Sequence, residues 1–396
     1  MTLKLRRHST TAGVLGLAVV TLLLAGCSSS SSSSQAPAGS GSASTPSDTA
    51  SAPPTDSTPV VGSPSFTSYS IPTASATPGE ITVGPDGNLW FVENDGNKIG
   101  TVTPTGTVKE FAVPTASAGP SGITTGPDGN LWFTEGDGNK IGQITPAGVI
   151  KEFVLPTNCG GDGCTPDGIT TGPDGNLWFT ENDGDKIGQI TTSGTIKEFS
   201  LPNCGSDGCS PASITTGPDK NLWFTEEDGN KIGQITTSGT IKDFAVPTAK
   251  SSPEGIITGP DGNLWFTEGA GNKIGQITPT GTIKEFAVSD ANAALGDIVT
   301  GPDGNLWAAQ GDGKIDEITP AGVVKAFPTP SSTSVVAGLT VGPDHNLWFT
   351  EDTADKVAKG VIGAGGATVA GTSSPEPSAS PAASATTSAK PKATTG

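Results

Sequence analysis

The 396-residue chain reads as an all-β protein, a seven-bladed β-propeller of four-stranded blades. Three observations carry that reading. The motif Gly-Pro-Asp-x-Asn-Leu-Trp recurs seven times, with tryptophans at Trp90, Trp132, Trp178, Trp223, Trp265, Trp307 and Trp348. Their spacings of 42, 46, 45, 42, 42 and 41 residues match one blade per repeat. The residues between motifs fall into short, turn-bounded runs with no sustained 3.6-residue periodicity, so almost no helix is expected.

The second repeat shows how each blade is built. Residues 122–126 form an inner strand, and Pro127 to Asn130 make a tight turn. Residues 131–135, Leu-Trp-Phe-Thr-Glu, suit a pleated and half-buried surface. Gly136 to Asn139 turn the chain again, because Gly and Asn tolerate the positive φ of tight hairpins. Residues 140–145 are the third strand and 149–155 the outer one. An outer-type strand, residues 66–71, precedes the first Trp repeat, whereas the last repeat ends after its third strand near 357–362. The N-terminal strand is therefore expected to complete the seventh blade and leave no open sheet edge. The propeller then occupies residues 66–363.

The ends of the chain speak to location. Basic residues at 4–7, an apolar run from Ala12 to Ala25 and the sequence Leu24-Ala25-Gly26-Cys27 resemble a bacterial lipoprotein signal, residues 1–26, with Cys27 as the lipidated residue. An ordinary secretory signal is the competing reading. Residues 27–65 and 364–396, rich in Ser, Ala, Pro and Thr, cannot bury enough apolar surface to fold and read as spacer and tail. The expected location is outside the cell membrane, extracellular or periplasmic, held by the N-terminal lipid alone.

Four further cysteines lie in the lengthened connections entering the third and fourth blades. Disulfides Cys159–Cys164 and Cys204–Cys209 are expected in an oxidising compartment, since zinc sites favour two-residue spacings. Residues 66–363 carry 36 acidic side chains against 16 Lys and no Arg, a poor footprint for nucleic acid. Glu residues three after most tryptophans (Glu93, Glu135, Glu181, Glu226, Glu268 and Glu351) face Lys98, Lys140, Lys186, Lys231, Lys273 and Lys356 across a hairpin. They read as structural cross-strand ion pairs.

The blade motif, Gly-Pro-Asp-Gly-Asn-Leu-Trp-Phe-Thr-Glu followed by Asn-Lys-Ile-Gly-Gln-Ile-Thr and Ile-Lys-Glu-Phe, resembles that of the streptogramin (virginiamycin B) lyases across residues 66–363. The resemblance implies a seven-bladed propeller and a magnesium-assisted elimination that opens a cyclic depsipeptide at its ester. It also implies catalytic histidines two residues before the inner-strand Ile of the last two blades, where this chain has Gly296 and Ala337. The family's Glu ahead of the last His corresponds to Val335, a first-blade Tyr to Gly79, and a Glu after the second strand of the last blade to Asp352. Only Asp352 is a matching carboxylate, so it is the weak catalytic candidate. The chain has two histidines: His8 lies in the signal, and His345 sits in a turn on the face opposite the blade-to-blade loops.

Four carboxylates, Glu80, Asp167, Glu254 and Asp297, stand just ahead of inner-strand Ile residues and are expected around the mouth of the central channel. Hard oxygen ligands there would suit magnesium or calcium, with a solvated acidic rim as the plain alternative. The expected function is a monomeric module binding a small molecule or protein on its loop face. The alternative is a divalent-metal-assisted lyase on a cyclic ester, with carboxylates replacing His.

Overall fold

The computed structural model describes residues 64–156, 159 and 163–362; Cys27, the leader at 1–26, nearly all of the 27–65 linker and the 364–396 tail lie outside them. The described chain forms seven antiparallel four-stranded sheets. Blade I comprises β2 (Pro78–Val83), β3 (Leu89–Glu93), β4 (Lys98–Val102) and β5 (Val108–Ala112), in that spatial order. Strands β6 to β25, between residues 120 and 328, repeat the pattern as blades II to VI. Blade VII takes β26 (Val336–Val341), β27 (Leu347–Glu351) and β28 (Lys356–Val361) from one end of the chain and β1 (Ser65–Ser70) from the other. The expected closure is therefore present, in register from Ser65↔Val361 to Ser70↔Lys356. A single 3-10 turn, Asp352–Ala354, is the one helical element among the described residues.

The repeated tryptophan is wedged between blades. Trp90 is fully buried and packs with Leu131 and Phe133 of blade II, and each later Trp meets its next blade in the same way. Its indole N–H donates to Asp86 Oδ1 at 3.0 Å, and that carboxylate also accepts from the Asn88 N–H and side-chain amide. The ring stacks on outer-strand Phe111 at 5.5 Å; in blade VII, Tyr69 of the closing strand serves Trp348 at 5.7 Å. Gly100, on the third strand, leaves room for Phe91: a Cβ there would fall 2.2 Å from that ring.

Hairpin Asn97 adopts φ 52°, and its amide oxygen accepts the Ala118 N–H at 2.7 Å, pinning the connection to blade II. Asp185 and Asp355 do the same in blades III and VII. Both expected disulfides, Cys159–Cys164 and Cys204–Cys209, are formed in those connections. The sulfur of Cys159 meets Lys186 Nζ at 3.4 Å, where blade II offers Thr115 Oγ1 to Lys140. His345 takes the left-handed turn position, φ 56°, which Gly holds in most blades.

The expected ion pairing needs correction. The hairpin register is as read, Glu93 opposite Lys98, but the lysine turns to the outer strand. Lys98, Lys140, Lys186 and Lys273 reach Glu110, Glu152, Glu198 and Glu285 at 2.6–2.7 Å. Blade IV, with the shorter Asp243 outside, keeps Lys231 within 3.6 Å of Glu226, and in blade III Lys186 also stands 4.0 Å from Glu181. The second-strand glutamates are instead fully buried, and the oxygens of Glu93, Glu135, Glu226 and Glu268 make no well-formed hydrogen bond among the described residues. The outer carboxylate is more accessible and costs less to charge.

Burial, and next the neighbouring outer carboxylate, push Glu93, Glu135, Glu181, Glu226 and Glu268 from an ordinary 4.5 up to about 7. A carboxyl whose pKa rises on folding binds its proton more tightly in the folded chain. Its stabilising effect is complete below pH 4.5 and fades as pH climbs through about 7. Melting temperature is thus expected to fall between pH 5 and pH 8 in calorimetric scans. Glu135→Gln, which copies Gln310 of blade VI, should melt about 1–3 °C above the parent at pH 8 and lose that advantage at pH 5. A pH-independent difference would contradict the assignment.

Candidate functional site

The blade-to-blade connections and the second-to-third-strand hairpins emerge on one face, where every inner strand begins. Each inner strand starts with a register shift, for example between Pro120 and Ile123, that turns two residues toward the channel and the next blade. At this bulge the blades are joined by threonine. Thr134 Oγ1 accepts the Gly122 N–H at 2.8 Å and donates to the Asp167 carbonyl of blade III at 2.6 Å. Thr180, Thr225, Thr267 and Thr350 make the same link to Ala212, Glu254, Gly296 and Gly79. In blade II the approach leaves no room for a Cβ at Gly122, which would fall 2.3 Å from the Asp167 carbonyl oxygen, whereas blade IV makes the link with Ser213 at the equivalent position.

Two blades lack the threonine: Val92 replaces it in blade I and Ala309 in blade VI. Those are the blades carrying Glu80 and Asp297 at the second bulge position. Asp297 accepts from the Ile298 N–H at 2.7 Å and, across the blade boundary, from Leu339 at 2.8 Å. Glu80 reaches the Ile123 N–H of blade II at 3.4 Å. These two carboxylates therefore bridge blades where threonine cannot. The signal was present in the sequence, as Leu-Trp-Phe-Val-Glu and Leu-Trp-Ala-Ala-Gln against the repeated Leu-Trp-Phe-Thr-Glu, but its partner was not visible.

Asp167 and Glu254 occupy the first bulge position. Asp167 accepts the Ser121 hydroxyl of blade II at 2.6 Å. The Glu254 carboxylate makes no hydrogen bond among the described residues and lies across Gly269, whose added Cβ would fall 2.3 Å from Glu254 Oε1. All four carboxylates are half-buried at the channel wall and feel one another. Burial, then Asp297 and Asp167, push Glu80 up to about 8, and burial followed by Asp167 pushes Glu254 to about 7. Burial raises Asp297 to about 6 against the two N–H groups it accepts, and raises Asp167 against the Ser121 hydroxyl. No three of them bring oxygens within 4.8 Å; the only such groups among the described residues are Cys159, Cys164, Glu181 and Asp185, Cys204, Cys209, whose thiols are spent in disulfides.

The positions that the resemblance aligns with catalytic groups carry no imidazole, and two of them, Gly79 and Gly296, directly precede the channel carboxylates Glu80 and Asp297. Gly79 and Ala337 line the inner strands, while Gly296 and Val335 are buried. Asp352 is 7% exposed in the 3-10 turn, and burial, then Asp95 and Asp355, push it to about 6. His345 sits in the turn between first and second strands of blade VII, on the far face.

The family profile of virginiamycin B lyases matches residues 60–160 and 158–359. A streptogramin B lyase structure is 37% identical, superposes with a TM-score of 0.71 and covers 76% of this chain and 98% of its own. A catalytically inactive histidine-to-alanine variant of virginiamycin B lyase from Staphylococcus aureus, solved with quinupristin, is 38% identical, with a TM-score of 0.71 and coverage of 76% and 99%. At 15% identity and a TM-score of 0.59, the extracellular domain of a one-component system from B. thetaiotaomicron shares the fold; 72% of this chain and 40% of that one align. No match was found among curated proteins compared by sequence.

Asp297→Ala is expected to cost roughly 1–3 kcal/mol in urea unfolding, because it strands two backbone N–H groups. Adding Ala309→Thr should recover much of that loss by restoring the threonine link. No recovery would mean that Asp297 is not a blade bridge.

Proposed function

The chain belongs to the virginiamycin B lyase family, and on that premise we propose that it is a non-cleaving binding module for a cyclic peptide lactone, carried outside the cell on a lipid anchor at Cys27. The carrying observation is the loss of imidazole from the loop face. Gly296 and Ala337 stand at the family's histidine positions, and His345 lies on the opposite face. A relative with one histidine replaced by alanine is inactive yet was solved with quinupristin, which supports binding that outlives catalysis. A lactone ring can rest over the small residues Gly79 and Ala337, with the Glu254 carboxylate free to accept a hydrogen bond from its amide groups.

A second reading follows from Glu254 alone. A carboxyl with no hydrogen-bond partner among the described residues, raised by burial to about 7, is suited to proton transfer, and the acidic channel would favour magnesium or calcium beside it. That reading makes the chain a metal-assisted lyase working through carboxylates.

Incubation of the full chain with quinupristin and magnesium, followed by mass spectrometry, separates the two. Binding by calorimetry without ring opening is the expected result, weakened about tenfold or more by Glu254→Ala. Turnover abolished by Glu254→Ala would establish the lyase reading instead, and neither binding nor turnover would sink both. Separately, Cys27→Ser should release the chain from the membrane fraction and abolish its labelling by radioactive fatty acid.

A further inference from the structure

The far face, opposite the blade-to-blade loops, carries the turns from first to second strand and from third to outer strand. Outer strands therefore start on it, and their second residue is lysine in six blades: Lys109, Lys151, Lys197, Lys242, Lys284 and Lys325. All six are exposed, and none forms a salt bridge among the described residues. Five hold the ammonium 4.2–4.4 Å over the Phe two residues on, as Lys151 does over Phe153. That contact fixes the head group at the rim without neutralising it. In blade VII, Thr67 takes the lysine position and Lys359 stands one strand inward, over Trp348.

Four large apolar side chains stand exposed among the described residues, and three of them are on this rim. Val149 (66% exposed) and Val323 (64%) each end a Pro-Ala-Gly-Val turn before an outer strand, and Val361 (46%) ends β28. Blades I, III, IV and V have Thr in place of that Val and a hydroxyl residue in place of the Ala. The apolar turns are thus confined to blades II and VI. Blades VI, VII, I and II follow one another round the ring, so the three valines share one sector. Ser65 lies in it too, opposite Val361, so the segment that starts at Cys27 joins the propeller on the far rim. Charge divides along the same axis. The acids at far-face turns and strand ends, seven turn aspartates and Glu317, are matched in number by the six lysines with Lys220 and Lys359. The acidic excess of the described propeller therefore lies at mid-blade and on the loop face.

Exposed lysine beside exposed valine, on the rim where the anchored segment arrives, is the chemistry that settles on a charged lipid surface. We propose that the far rim rests on the anionic phospholipid headgroups of the membrane that holds Cys27, through the sector of blades VI, VII, I and II. Lys109, Lys151 and Lys325 meet the phosphates, and the two Pro-Ala-Gly-Val turns enter the interfacial layer. The acidic loop face is repelled by the same headgroups and turns outward. These contacts orient a disc that the lipid already holds; they do not replace the lipid. Docking of this kind rests on the Cys27 anchor proposed above, and not on the ligand assigned to the channel mouth. It presents that mouth to whatever approaches from outside.

Fluorophores on Ala147→Cys, in a far turn, and on Ala291→Cys, in a loop-face connection, test the orientation, since both sites are exposed. The lipidated full chain is placed on phosphatidylcholine vesicles containing brominated lipid as quencher, with or without phosphatidylglycerol. Quenching on the anionic vesicles should be at least about twofold stronger at Ala147→Cys than at Ala291→Cys. Val149→Thr with Val323→Thr, which installs the residue of the other blades, should shrink that difference. Lys109→Gln, Lys151→Gln and Lys325→Gln together should remove its dependence on phosphatidylglycerol. Val154→Thr, at the loop-face end of β9, should leave it unchanged. Flotation of the same vesicles reports the anchor separately. A chain that floats yet is quenched equally at both sites, or more strongly at Ala291→Cys, overturns the docking alone. A chain that does not float overturns the anchor and the docking together.

Discussion

The indole N–H of each buried tryptophan has to be satisfied, and the Asp of the preceding turn is the group that does it. One carboxylate therefore shapes the turn, through the Asn two residues on, and orients the ring four residues on. The ring then becomes a wedge with fixed faces, one against its own outer-strand aromatic and one against the next blade. Blade spacing follows from the thickness of that wedge. Gly at the third strand and Phe beside it are consequences, since the neighbouring face must be flat enough to receive an indole.

Because this wedge is written into consecutive residues, the fold was legible from the chain alone. Blade number, strand order, the closing strand and both cysteine loops follow from spacing. What was not legible depends on distance between blades. The Glu93 to Lys98 pairing was inferred correctly as a register, yet the lysine chooses Glu110 because that carboxylate keeps contact with solvent and Glu93 does not. The bridging threonines looked like β-propensity until their partners, one blade away, were known. Glu80 and Asp297 looked like a ligand ring for the same reason. Their backbone partners, Ile123 and Leu339, lie 43 and 42 residues along the chain.

The blades that break the repeat do so by compensated exchange rather than decay. Val92 and Ala309 remove a hydroxyl where Glu80 and Asp297 add a carboxylate. In blade VI a ring, a glycine and an outer acid change together, and the total number of buried charges in that layer is held down by Gln310. Among the rim acids, only Glu254 has no such structural employment within the described protein, which is why a functional reading concentrates on it.

The pairing of β1 with β28 has a mechanical side. Ser65 and Val361 are opposite one another at the same end of the ladder, so both extensions of the chain depart from one corner of blade VII. A pull that separates the two extensions would load this ladder hydrogen bond by hydrogen bond, as a zipper, rather than all at once in shear. The disc would give way first at its own clasp, with the six blades whose strands are contiguous in sequence still intact.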